Sequence, residues 1–273
     1  MPPEAGRPGP HPEPPDDLGN RVLPLITVDG PRVRIHRRER DPLFFGATGD
    51  NRFDAPDGAY GVCYVADDSY GAFVETFGWS TGIRIVTAAA LAARGLAQIA
   101  AISPVRLVDL SGPGLALVGA DARLCAGDHA VAQRWARALW AHPSHPDGLR
   151  YRVRHDPSRI AVALFNRVLE SVTASPFGSL TDPHLTPLVA EILDHYGIGV
   201  VATESREERD RGQRGPRTTL SFISPLLSRK ITTQSVGRNC RRIRAKRSGC
   251  SSQGKWPTFG IVCSRAEGIR LAR

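Results

Sequence analysis

Tyr60-Gly61-Val62-Cys63-Tyr64, then Asp67-Asp68-Ser69, then Tyr70-Gly71-Ala72-Phe73-Val74-Glu75-Thr76-Phe77 reads as a strand that turns into a helix. The β-branched and aromatic residues over 59–66 favour extended chain. Asp67-Asp68-Ser69 is a helix start signal, because a short acidic or hydroxyl side chain accepts hydrogen bonds from the unpaired first amides. The helix predicted over Tyr70–Phe77 carries Glu75, eleven positions after Tyr64. A carboxylate therefore stands near the end of a strand that carries an aromatic.

Two arginines precede this unit. Arg34 lies within the apolar-alternating Val33-Arg34-Ile35 and should project from one face of a strand. Arg52 follows the turn-like Gly49-Asp50-Asn51. Guanidinium groups give planar, bidentate hydrogen bonds and suit phosphate. Any one of these residues alone is more simply a surface residue; the pattern gains meaning only if all converge.

Further along, extended segments are predicted over 22–28, 97–102, 105–110, 149–154, 160–165 and 198–201. Thr87 suits the cap of a helix over Ala88–Arg94 closed by Gly95. Asp128 suits the cap of His129–Ala141, where Val131, Trp135 and Leu139 share one apolar face. Asp182-Pro183 opens an amphipathic helix through Tyr196, closed by Gly197, before a last buried strand, Ile198–Val201. Strands and helices mix without strict alternation, which predicts an α+β fold. No GxGxxG or P-loop glycine pattern is present, which argues against Rossmann and NTPase readings. His36, His155 and Asp182-Pro183-His184 are more simply structural than catalytic.

Composition divides the chain of 273 residues into three parts. Residues 1–20 are rich in proline, with seven in the first seventeen positions, and are expected to be disordered. Residues 21–203 form the expected folded domain. Residues 204–273 hold 17 Lys and Arg against 5 Asp and Glu, whereas residues 1–203 hold 19 against 22. All three lysines (Lys230, Lys246, Lys255) lie in that last part, so it is either a segment of different origin or a basic disordered extension. Its run Arg238–Arg247 suits phosphate contacts with nucleic acid but lacks interleaved aromatics and any binding module. Five cysteines show neither a disulfide framework nor zinc-ligand spacing, so no metal is expected, and a reducing cytoplasm fits. No apolar run of spanning length occurs, so no membrane association is expected.

The spaced blocks Arg34, Pro42–Gly46, Arg52-Phe53, Tyr64 and Phe73–Thr76, together with Gly148–Pro157, resemble the RES domain family of NAD-degrading toxins of bacterial toxin–antitoxin pairs. The resemblance runs from about Val33 to Val201. It implies an ADP-ribosyltransferase-like split β-sheet core with flanking helices. It also implies NAD as substrate rather than cofactor, phosphate or water as acceptor, and a protein antitoxin as partner. On that resemblance Glu75 and Arg34 would be catalytic, while Arg52 would bind the pyrophosphate and Tyr64 would wall the nicotinamide pocket. The chain departs from the family at Val153, which stands where the family serine would precede Arg154-His155-Asp156-Pro157. Either that serine is dispensable here, or the protein is catalytically degenerate. A third reading is nucleic-acid binding through the basic tail.

Overall fold

The computed structural model describes residues 11–78 and 84–202, all within the unit Met1–Ser228. Strands β1 (Leu25–Val28), β2 (Arg32–Arg37) and β3 (Val62–Ala66) lead into helix α1 (Ser69–Phe77). There follow β4 (Ile85–Thr87), α2 (Ala88–Ala92), β5 (Arg94–Ala101), β6 (Val105–Asp109), α3 (Gly114–Val118), α4 (Arg123–Ala126) and α5 (His129–Trp140). The remaining elements are β7 (Gly148–Val153), β8 (Asp156–Phe165), β9 (Val172–Ser179), α6 (Thr186–Tyr196) and β10 (Gly199–Val201).

Eight strands join in the order β1-β6-β7-β8-β3-β2-β5-β9, and β10 pairs in parallel with β4 outside that sheet. Within the large sheet β6 and β7 run parallel, and the other neighbours run antiparallel. The α+β class is therefore as expected. The sheet is also split. β2 pairs with β5 over six residues and β3 with β8 over five, but β2 and β3 share one pair, Val33 with Ala66. Beyond that pair the two half-sheets diverge and leave a cleft.

Period-two alternation explains how both faces of β8 are filled. Val162 and Leu164 face a core shared with Ala97 and Ile99 of β5 and Leu107 of β6. Ala161, Ala163 and Phe165 face a second core built on α5. On α5, Ala132, Trp135, Ala136 and Leu139 recur every three or four residues and are all fully buried, so the apolar stripe read from sequence is the packed face. Gly148 is required where β7 crosses β8, since a Cβ there would lie 2.4 Å from the Ala163 carbonyl oxygen. α6 ends at Gly197, whose φ of +61° is the left-handed conformation of a helix stop.

Several boundaries differ from the sequence reading. Thr87 does cap α2, accepting from the Ala90 amide, but the helix stops at Ala92 and Arg94 begins β5. Gly95 is needed for packing within the sheet, because a Cβ there would lie 2.8 Å from His36 Nε2. Strand β9 escaped notice because Pro176 and Gly178 interrupt its pattern; both are tolerated at a sheet edge. β10 is half-buried rather than fully buried.

Residues 11–20, expected to be disordered, instead lie against α5. His11 is buried, Trp135 Nε1 donates to the Pro12 carbonyl at 2.8 Å, and Arg134 pairs with Glu13. Two polar anchors and a buried ring offset the entropy of ordering a proline-rich strip. Residues 1–10, the tail 204–273 with its basic run 238–247, and Cys240, Cys250 and Cys263 lie outside the described residues. Among the described residues, no helix is long and apolar enough to cross a membrane.

Candidate active site

The cleft between the half-sheets is a cavity of about 610 Å³, and Arg34, Arg52, Tyr64 and Glu75 all line it. Four positions dispersed over 42 residues of chain thus converge, because β2 and β3 flank the seam and α1 lies over it. The cavity size is that of an ordinary small-molecule site.

Glu75 reaches the cavity from α1. The helix is fixed at its start by Asp68, whose side chain accepts from the Gly71 amide at 2.7 Å and pairs with Arg159. Phe73 and Val74 turn into the core, which leaves Glu75 facing the cavity. The carboxyl is open to cavity solvent yet ringed by protein, and that enclosure raises its pKa above the usual value. The Arg154 backbone amide and the guanidinium groups of Arg52 and Arg154 act in the opposite sense.

Arg52 sits on the loop Gly49–Asp54, which the first half of α5 holds down. Gln133, itself buried, donates from Nε2 to the carbonyls of Gly49 at 2.6 Å and Asn51 at 2.9 Å. Arg52 donates to the Gly127 carbonyl at 2.8 Å. Its pKa is lowered, first by burial and then by the like charge of Arg154. Two guanidinium groups and one carboxylate therefore share the inner cavity. Removing the amide in Gln133→Ala takes the side-chain donor from both carbonyls, leaving Asn51 only the Asp54 amide at 3.2 Å. We expect a stability loss of about 1–3 kcal/mol in chemical denaturation and faster hydrogen exchange at residues 49–52.

Arg34 and Tyr64 line the cavity, but their polar atoms are engaged elsewhere. Arg34 donates to the carbonyls of Pro42 (2.5 Å) and Phe44 (2.9 Å) and to Cys63 Sγ (2.7 Å), so it fastens the loop carrying Phe44. Burial pushes the Cys63 thiol up to about 11, and it remains protonated. The Tyr64 hydroxyl accepts from the Phe53 amide at 2.9 Å and donates to the fully buried Asp54 at 3.0 Å. Asp54 in turn accepts from the Asn51 amide and side chain. Tyr64 therefore offers the cavity ring surface and keeps its hydroxyl for the Arg52 loop.

At the mouth, Arg37 and Arg94 stand directly opposite each other across β2 and β5. Burial lowers the Arg94 pKa, and the neighbouring Arg37 lowers it further. Glu39 lies 3.8 Å from Arg37, and Arg40 covers the ring of Phe44 at 4.5 Å. The cavity is cationic both inside and at its rim.

The RES domain profile matches residues 31–185, which is more than half of the chain. The chain belongs to the RES domain family. It is similar to the probable toxin y4kH of Sinorhizobium fredii, with 34% identity over 100 residues covering 36% of this chain and 76% of that protein. It is also similar in structure to a chain of the M. tuberculosis MbcT–MbcA toxin–antitoxin complex. That similarity has a TM-score of 0.49 and 18% identity, and covers 64% of this chain and 98% of the other.

Within this RES domain, the block Gly148–Pro157 carries part of the resemblance, but the sequence reading assigned none of its residues to the site and took His155 as structural. Tyr151, Arg154 and His155 also line the cavity. Burial lowers the His155 pKa, with Arg154 and Arg52 acting in the same direction, so the imidazole is neutral at pH 7. Alternation along Leu149-x-Tyr151-x-Val153 was the available signal. It places Val153 on the buried face, where it is fully enclosed in the core and does not line the cavity. Ser158 does not replace the family serine, for it lies at the exposed start of β8, where its hydroxyl donates to Asp156.

Proposed function

We propose that this RES domain protein is a cytoplasmic toxin that breaks the nicotinamide–ribose bond of NAD and is restrained by a protein antitoxin. The observation that carries the reading is the meeting of Glu75 with the Arg52–Arg154 pair in one cavity. The description of the S. fredii relative as a probable toxin supports it.

Cleavage of that bond builds positive charge on the ribose, as in glycoside hydrolysis. An ionised Glu75 stabilises the charge more in the transition state than in the ground state. Tyr64 supplies a flat apolar wall for the nicotinamide ring. The cationic interior and rim neutralise the pyrophosphate, with Arg34 holding the floor in shape rather than offering a free guanidinium. Phosphate as acceptor is favoured by the paired guanidinium groups beside Glu75, a bidentate anion seat next to the carbon under attack. The products are then nicotinamide and ADP-ribose 1-phosphate; with water they are nicotinamide, ADP-ribose and a proton.

NMR of NAD incubated with the full-length protein, with and without phosphate, tests both statements. Nicotinamide release that rises with phosphate supports the phosphorylase, and release indifferent to phosphate assigns water as acceptor. Absence of release under both conditions overturns the enzyme. The second reading, a catalytically degenerate protein, rests on Val153. Because Val153 is packed in the core, Val153→Ser buries a hydroxyl in apolar surroundings at a cost of about 1–3 kcal/mol. We expect a lower melting temperature with no gain in NAD consumption; activity switched on by the serine would establish degeneracy instead.

A further inference from the structure

We infer that Tyr151 is a catalytic residue of this site, its phenol donating a hydrogen bond to the nicotinamide-side ribose hydroxyl whose own proton is held by Glu75. The inference rests on the reading of the cavity as an NAD site and adds a residue to it.

The chain has five tyrosines, and four have hydroxyl partners. Tyr60 donates to the Phe53 carbonyl, Tyr64 to Asp54, Tyr70 to Glu191 and Tyr196 to Asp156. Tyr151 is 97% buried, lines the cavity, and makes no hydrogen bond among the described residues. The ring is buried but the hydroxyl oxygen opens onto the cavity, where phenylalanine would offer a ligand no polar atom. Its ring is held edge-on against Phe53 at 4.9 Å, and β7 is paired on both sides, so the hydroxyl is fixed in place before any ligand arrives.

The environment defines its chemistry. Burial, reinforced by the nearby Glu75 carboxylate, holds the Tyr151 pKa well above its usual value, so the group is a neutral donor and not a base. Glu75 is an acceptor. A ribose hydroxyl between them satisfies both, donating to the carboxylate and accepting from the phenol. The hydroxyl oxygen is thereby polarised without leaving bulk water beside the developing positive charge. Val153, two residues along the same face, offers no polar atom, so the hydroxyl on this face of β7 comes from Tyr151.

The test compares wild type and Tyr151→Phe as full chains, titrating ADP-ribose and ADP and following NAD turnover. ADP-ribose carries the ribose in question without a bond to break; ADP carries the same pyrophosphate and adenosine without that ribose. We expect affinity for ADP-ribose to fall about tenfold. Affinity for ADP should stay unchanged, which also reports an intact fold. We expect kcat on NAD to fall about 100-fold with KM little altered. If wild type binds ADP-ribose and shows this contrast but turns over no NAD, the enzymatic reading fails, and with it the catalytic role of Tyr151, while its contact with the ribose hydroxyl stands. Equal weakening of ADP and ADP-ribose, unchanged ADP-ribose binding, or no ADP-ribose binding by wild type overturns it.

Discussion

Glu75→Gln should abolish nicotinamide release, by about 10²–10⁴-fold in kcat, while the variant protein still binds NAD. Glutamine keeps the shape and some hydrogen-bonding capacity of the side chain but carries no negative charge to set against the oxocarbenium-like ribose. The same substitution should raise thermal stability at neutral pH. Enclosure in the cleft raises the Glu75 pKa in the folded protein relative to the unfolded chain, so the folded state favours the protonated form. Its contribution to stability is fully present below the unfolded value of about 4.5 and is lost as pH rises through the higher folded value. Wild type should therefore lose ground to the glutamine variant on going from about pH 4 to pH 7, and the two should melt alike below about pH 4.5. Melting curves across that range, beside nicotinamide release, check both halves. A variant that is less stable at pH 7 and fully active would show that Glu75 is a structural residue.

Trp135→Ala should cost about 3–5 kcal/mol, a large part of the stability of an ordinary domain. Trp135 is fully buried at the centre of the α5 face, among residues that also pack under β7 and β8. Its indole is the attachment point for the ordered N-terminal strip, through Nε1 to Pro12 and through an edge contact with His11 at 5.7 Å. Truncation thus opens a cavity and also releases residues 11–13. α5 carries Gln133 as well, so a shift of this helix slackens the loop that presents Arg52. Urea denaturation should show the loss, and Trp135→Phe, which keeps a ring but forfeits the hydrogen bond, should lose less. Equal stability of Trp135→Ala and wild type would remove α5 from the centre of the core.

The strand–helix unit carrying Tyr64 and Glu75 was legible because its signals are local: β-branched and aromatic residues over 59–66 and an aspartate whose side chain caps the helix it precedes. The convergence of Arg34 and Arg52 on the same cleft was an expectation that the family resemblance carried, since spacing alone leaves each arginine a surface residue. What each does there was not legible. The carbonyls that occupy Arg34 belong to Pro42 and Phe44, and nothing in the spacing of the chain announces that the loop folds back over the strand. Tyr64 was expected only as a wall of the nicotinamide pocket, and the partners of its hydroxyl on the 51–54 loop meet it only after folding. Gln133 reads as a helix-surface residue and is buried, since the carbonyls it satisfies come from a loop more than eighty residues away in sequence. The unpartnered state of Tyr151 is likewise a property of the assembled cleft. Composition alone did not reveal the order of residues 11–20, because it is an indole and an arginine on α5 that give residues 11–13 something to hold.

The Arg37–Arg94 pair gives the empty protein a built-in electrostatic tension. Like charges set face to face across a ladder push against the strands that bear them, and Glu39, 3.8 Å from Arg37 and near enough to act on Arg94 as well, offsets that repulsion in part. Dissolved salt therefore has opposite consequences for the vacant and the occupied molecule. Mobile ions screen the repulsion and steady the vacant cleft, yet they weaken the pull on any multiply charged guest.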